Sequence, residues 1–195
     1  MTIINEVADS QFLAQEFDEV DKLREAAKKD NFKPEWVWRN VALFAALHFG
    51  ALVATYQLIF EAKWATVFFS FFCWFLSGFS ITAGAHRLWA HRSYKANFPL
   101  RVALMLLDCM AFQNDIIEWA RDHRCHHKWT DTDADPHNVN RGFFFSHMGW
   151  LLQKKHPKIK EMGAKLDLSD LYSDPVLTFQ RKCVYMPSVF AILKP

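Results

Sequence analysis

The chain has 195 residues, enough for one domain of ordinary size, and its formal net charge of +2 is too small to point to nucleic acid. Four cysteines without paired spacing leave neither a disulfide framework nor a C-x-x-C zinc site to build on. The mean hydropathy of −0.07 averages very polar with very apolar blocks, so the chain is segmented.

Residues 1–39 read as a polar arm, acidic at first through Glu6, Asp9, Glu16, Asp18, Glu19 and Asp21. A positive start, an apolar core and a small-residue cleavage site are all missing from it, which excludes a cleaved secretory signal. The expectation is a cytosolic, partly disordered arm in which residues 12–28 can form a short helix.

Residues 41–60 carry no formal charge, and about 20 residues at about 1.5 Å each cover the roughly 30 Å hydrocarbon core of a bilayer. A second apolar run, 64–85, follows after only Glu61, Ala62 and Lys63, so residues 40–85 are expected to form an antiparallel transmembrane hairpin. The alternative, two buried helices of a soluble protein, fits the uncharged lengths poorly. Lys33 and Arg39 precede the pair and Arg87, Arg92, Lys95 and Arg101 follow it, while the turn sets one Lys against one Glu. The positive-inside rule then puts the N-terminus and the region after the second span in the cytosol, with Trp36, Trp38 and Trp64 where an interfacial aromatic belt lies.

The stretch 98–112 is broken by Arg101 and Asp108 and too short to cross, so it is expected as a helix at the membrane face or under a cytosolic domain. Residues 113–182 are polar, with T-D-T-D-A-D-P-H-N at 130–138 and the basic run K-K-H-P-K-I-K at 154–160. Residues 183–195 read as the cut-short start of a third membrane span. The fold expected is all-α, a multi-pass membrane protein with a helical hairpin and a cytosolic helical region at 86–182.

That region holds two histidine boxes, H-R-L-W-A-H with His86 and His91, and H-R-C-H-H with His123, His126 and His127. Five imidazoles crowded among cations would repel one another unless a role kept them neutral, and holding metal is that role. At about 100° per residue, 123, 126 and 127 share one face of a helix. His86 and His91 would diverge by roughly 140°, so they converge only if the metal sits beside the helix end or the helix breaks between them. Five histidines are too many for one tetrahedral zinc, and two metals are the better fit. A lone histidine such as His48, His147 or His156 is expected to be structural or superficial.

The stretches I-T-A-G-A-H-R-L-W-A-H-R-S-Y-K-A, A-F-Q-N-D-I-I-E-W-A-R-D-H-R-C-H-H-K-W, D-A-D-P-H-N and R-G-F-F-F-S-H-M-G-W-L-L resemble the membrane-bound acyl-CoA desaturases, in particular the Δ9, stearoyl-CoA type of animals and insects. The resemblance runs from about Trp36 onward. It implies a multi-pass protein of the endoplasmic reticulum membrane with a di-iron centre ligated by the boxed histidines. It also implies reduction by cytochrome b5 and its reductase, and a cis double bond introduced into a fatty acyl-CoA. By the same matching, Asn40, Asn114, Arg121, Asp122, Lys154 and Lys155 contact the CoA headgroup, where cations suit phosphates. Gln113 and Trp119 fall at the bend of an acyl tunnel, and Trp74 and Gly78, one helical turn apart, at its closed end. For Gly78 the alternative is close helix packing.

The family carries a third box, H-x-x-H-H, and an N-x-x-x-H motif further along; neither occurs in these residues, and His137, His147 and His156 do not replace them. A partial or truncated chain is expected. Cys125 and Cys183 depart from the apolar and aromatic residues usual there. A lipid hydroxylase using similar boxes is disfavoured by the A-R-D-H-R-C-H-H-K context, and a non-catalytic, desaturase-like membrane protein is the remaining alternative.

Overall fold

The computed structural model describes residues 18–30 and 32–184, all of whose regular structure is helical. Residues 18–27 form α1, and the earlier part of the helix expected at 12–28 lies outside the described residues, as do residues 185–195 of the expected third span. Among the described residues two helices are long and apolar enough to cross a membrane: α2 (Trp38–Phe60), and a 27-residue helix from Trp64 to Ala90 that begins as α3 (Trp64–Ser80). No residue of α2 is buried, and Leu52, Phe60, Trp64, Phe68 and Phe69 expose most of their apolar surface. A surface of that kind suits lipid rather than water. The second helix does not stop at 85 but continues unbroken, which carries His86 inside it.

The described residues divide into two compact units, 36–124 with 166–184, and 18–30 and 32–35 with 125–165. In the first, the helix at 64–90 packs on α4 (Phe98–Cys109), and α4 packs on α9 (Pro175–Val184), with α8 (Ser169–Ser173) beside α9. Local chemistry sets these starts. Asn97 accepts a hydrogen bond from the Leu100 N–H at 3.1 Å with Pro99 in the first turn, and Asp174 caps α9 through the Val176 N–H at 2.9 Å. Ala85, Leu88, Trp89, Leu104, Ile116, Ile117 and Leu177 form the core. Within the stretch 98–112, α4 buries Leu104, Met105 and Asp108 and leaves Phe98, Leu100 and Leu106 exposed.

The second unit contains α1, the end of α5 (Ile116–Lys128), α6 (Trp150–Leu152) and α7 (Pro157–Gly163). Trp129 is fully buried there, and its indole N–H donates to Glu19 at 3.1 Å, which ties the arm to the loop after the second box.

Candidate metal centre

The first box converges by a change of helix type. Residues Ile81–Ala90 form a π-helix, in which each N–H reaches the carbonyl five residues back; the His91 N–H donates to the His86 carbonyl at 2.9 Å. Five residues are then close to one turn, and the two rings meet edge to face with centroids 4.5 Å apart. The helix therefore does not break between the histidines, as one sequence expectation required; it widens, with His91 as its C-cap.

A widened turn needs outside support, and the same spacing of five supplies it. Gly84 and Trp89 are one π-turn apart, and a Cβ on Gly84 would lie 3.1 Å from the Trp89 ring, so the bare backbone leaves room for the buried indole. Trp89 Nε1–H donates to Asp174 at 3.1 Å, and Tyr94 O–H donates to the Ala83 carbonyl at 2.7 Å.

The second box stands on α5, whose start is capped by Asp115 accepting from the Glu118 N–H at 3.0 Å. His123 Nε2 lies 3.0 Å from His91 Nε2, and its ring centroid is 4.6 Å from that of His86. Donor nitrogens of His86, His91 and His123 all lie within 4.8 Å of one another. The set fits a nitrogen-ligated metal. Two nitrogens each about 2.1 Å from one ion at a right angle would be about 3 Å apart, and the 3.0 Å contact matches that edge. Trp119, one turn before His123, stacks on it at 4.8 Å and donates its indole N–H to Gln113 at 3.0 Å, so the two residues matched to a tunnel bend are bonded to each other, with Trp119 against the imidazole.

Beyond Arg124, α5 continues into the second unit. His127 follows His123 by one turn on the same face, and His126 is offset from it by about 100°. The Nδ1 of His126 faces the fully buried Asp135 carboxylate at 2.9 Å, which raises its pKa and leaves Nε2 as the outward donor. This is the carboxylate–histidine arrangement that orients ligands in metal sites. Asp135 is itself fixed by the Asp131 and His137 N–H groups at 2.9 and 2.8 Å.

A second trio in this unit, Asp30, Asp133 and His156, also brings donor atoms within 4.8 Å. Its chemistry is different. His156 Nδ1 accepts from the Lys158 N–H at 3.2 Å as the cap of α7, so its proton sits on Nε2, 3.3 Å from Asp30, and no nitrogen lone pair faces the carboxylates. His48 bonds the Phe44 carbonyl at 2.7 Å and His147 stacks on Phe143.

The residues matched to substrate contacts have the following local surroundings. Asn40 opens α2 and accepts from Arg39, and Asn114 is exposed with φ 65° before α5. Arg121 is held by Asp122 at 2.8 Å and Glu118 at 3.3 Å, carboxylates with which a phosphate would have to share the guanidinium. Lys154 pairs with Glu35 at 2.7 Å, and Lys155 is half-buried. Trp74 is exposed, and a Cβ on Gly78 would meet nothing within 4 Å among the described residues. Sequence reasoning missed Arg124, Asp170, Asp135 and the Gly84–Trp89 pair. Only the last left a trace, a spacing of five that repeats that of His86 and His91.

No protein-family model matches the chain. Individual relatives do. It is 62% identical over 193 residues to the Delta(9)-fatty-acid desaturase fat-6 of Caenorhabditis elegans, an alignment covering 94% of this chain and 57% of that protein. It is 56% identical to the stearoyl-CoA desaturase of Homo sapiens (80% of this chain, 43% of that one) and 55% identical to the acyl-CoA Delta-9 desaturase of Acheta domesticus (83% and 45%). The chain spans about half the length of the curated relatives it matches. Identity of this depth across nearly the whole chain makes it a member of the membrane-bound acyl-CoA desaturase family.

Proposed function

We propose that the complete protein is an acyl-CoA desaturase that introduces a cis double bond at Δ9 into a saturated fatty acyl-CoA. The reaction consumes one O2, two electrons from cytochrome b5 and its reductase, and two protons, and releases two waters. The observation that carries this reading is the convergence of His86, His91 and His123, achieved by a π-helix in one box and an α-helix in the other. Those three, with His126 and His127, would hold two iron ions, and the bound metal would supply the oxidising power to remove hydrogen from unactivated methylenes. Five imidazoles leave two irons under-coordinated, so these 195 residues alone are expected not to desaturate.

The chain's own residues have positioning tasks. Trp119 and Gln113, hydrogen-bonded beside the histidines, would form the wall that bends the acyl chain and sets which methylene pair faces the centre. Asn40, Asn114, Arg121, Asp122, Lys154 and Lys155 would bind the CoA headgroup, and Trp74 with Gly78 would close the far end of the tunnel. The arrangement proposed is a cytosolic arm (1–39), a hairpin (40–85) in the endoplasmic reticulum membrane, a cytosolic histidine region (86–182) and the onset of a third span (183–195). The flanking basic residues support that orientation.

The test is incubation of the complete polypeptide with stearoyl-CoA, NADH, cytochrome b5 and its reductase, with the product analysed by mass spectrometry. Oleoyl-CoA is expected; a hydroxylated acyl chain, or no product from iron-loaded protein, would overturn the reading.

A further inference from the structure

Arg124 lies inside the second box but serves the first. Its guanidinium has five N–H donors, and the structure gives an acceptor to each. Nε donates to the Ala90 carbonyl at 3.1 Å, and Nη2 to the Trp89 carbonyl at 2.8 Å and to Asp170 Oδ2 at 2.7 Å. Nη1 donates to Asp170 Oδ1 and to the Asp167 carbonyl, both at 3.0 Å. The side chain is 13% exposed.

The two carbonyls matter because of where they are. Trp89 and Ala90 end the π-helix and immediately precede His91, so their carbonyls are among those that a helix end leaves without an internal partner. A cation at that end also complements the helix dipole. Arg124 itself follows His123 directly in α5. One side chain therefore joins the backbone beside His91 to the backbone beside His123. Asp170 completes the clamp from α8, since it also takes Arg92, the residue after His91, at 2.6 Å.

We infer that Arg124 is a positioning residue that fixes the first histidine box against the second, and so sets the spacing of His91 and His123. It touches no reacting group and holds no metal. Lysine cannot replace it, because an ammonium has three donors at one point where the site presents acceptors around a planar fork. The consequence for metal binding rests on the reading of the boxes as a metal centre; the positioning role does not.

The experiment separates the two. Hydrogen exchange is measured on the metal-free, detergent-solubilised chain carrying Arg124→Gln or Arg124→Lys, and cobalt(II) is titrated into the same proteins. Both variants are expected to exchange about tenfold faster or more at residues 86–93, where charged hydrogen bonds are lost, with α4 (Phe98–Cys109) unchanged. Cobalt affinity should fall about 10- to 100-fold with an altered ligand-field spectrum, as when an outer partner of a ligand is removed. Asp170→Asn, which keeps the carbonyl bonds, should give a smaller change of the same kind. Unchanged exchange at 86–93 in both Arg124 variants overturns the inference. If the parent chain binds no cobalt, the metal reading fails while the exchange result still decides the role of Arg124. Equal acceleration throughout the chain would show general loosening and would also overturn it.

Discussion

The two histidine boxes bring His86, His91 and His123 together on different backbones. In the second box the spacings of three and four residues suit an α-helix, so α5 needs little more than a cap at Asp115 to present His123 and His127 on one face. In the first box the spacing of five does not suit an α-helix, and alignment depends on a π-helix braced from elsewhere: by Gly84 under Trp89, by Asp174 on the indole, by Tyr94 on Ala83 and by Arg124 on the closing carbonyls. Convergence is thus local in one box and tertiary in the other. The first box should fail whenever its neighbours are disturbed, and the second should not.

The largest effect is expected from Trp89→Ala. It removes a buried indole and its bond to Asp174, a loss of about 3–5 kcal/mol. Thermal unfolding should report that cost, and hydrogen exchange should find 81–91 opened while 116–128 stays protected. Equal opening of both boxes would break the contrast.

Next comes Gly84→Val, which forces atoms into the space taken by the Trp89 ring. A destabilisation of about 1–3 kcal/mol is expected from overpacking, with His91 displaced from His123. Denaturant titration measures the first, and the cobalt spectrum of the variant the second. Tyr94→Phe loses a single hydrogen bond to a carbonyl, worth about 1 kcal/mol, and serves as the mild member of the series.

The smallest effect is a pH dependence. Burial pushes the Asp170 carboxyl up, but hydrogen bonds from Arg124 and Arg92 outweigh it and hold the group at about 2, below its ordinary 3.8. Because the folded pKa is the lower one, the stabilisation is complete above pH about 4 and is lost as the pH falls toward 2. Asp170→Asn should flatten unfolding midpoints between those limits; an unchanged acid slope would mean the carboxylate contributes nothing to the clamp.

Much of this was legible in the residues. The apolar lengths gave both long helices, because an uncharged run of about 20 residues has few other uses. The boxes identified the imidazoles that meet. What escaped is non-local. A π-turn has no propensity signature, so the roughly 140° divergence of His86 and His91 counted as a difficulty when measured on an α-helix, although the paired spacing of Gly84 and Trp89 pointed to a wider turn. Asp135 and Asp170 reach their partners, His126 and Arg124, only through tertiary folding, and no spacing rule could select them from the 21 acidic residues. His156, by contrast, turned out to cap a helix, a role usually taken by Ser, Thr, Asp or Asn.

The most direct measurement is a cobalt(II) titration of the detergent-solubilised chain and of its His86→Ala, His91→Ala, His123→Ala and His48→Ala forms. If the π-helix aligns the first box on the second, each of the first three substitutions should lower affinity by about 100-fold or more, since a ligand should cost at least as much as an outer partner, and His48→Ala should bind as the parent does. Parental affinity after loss of His86 or His91 would contradict the convergence of the two boxes, and so would an equal loss at His48.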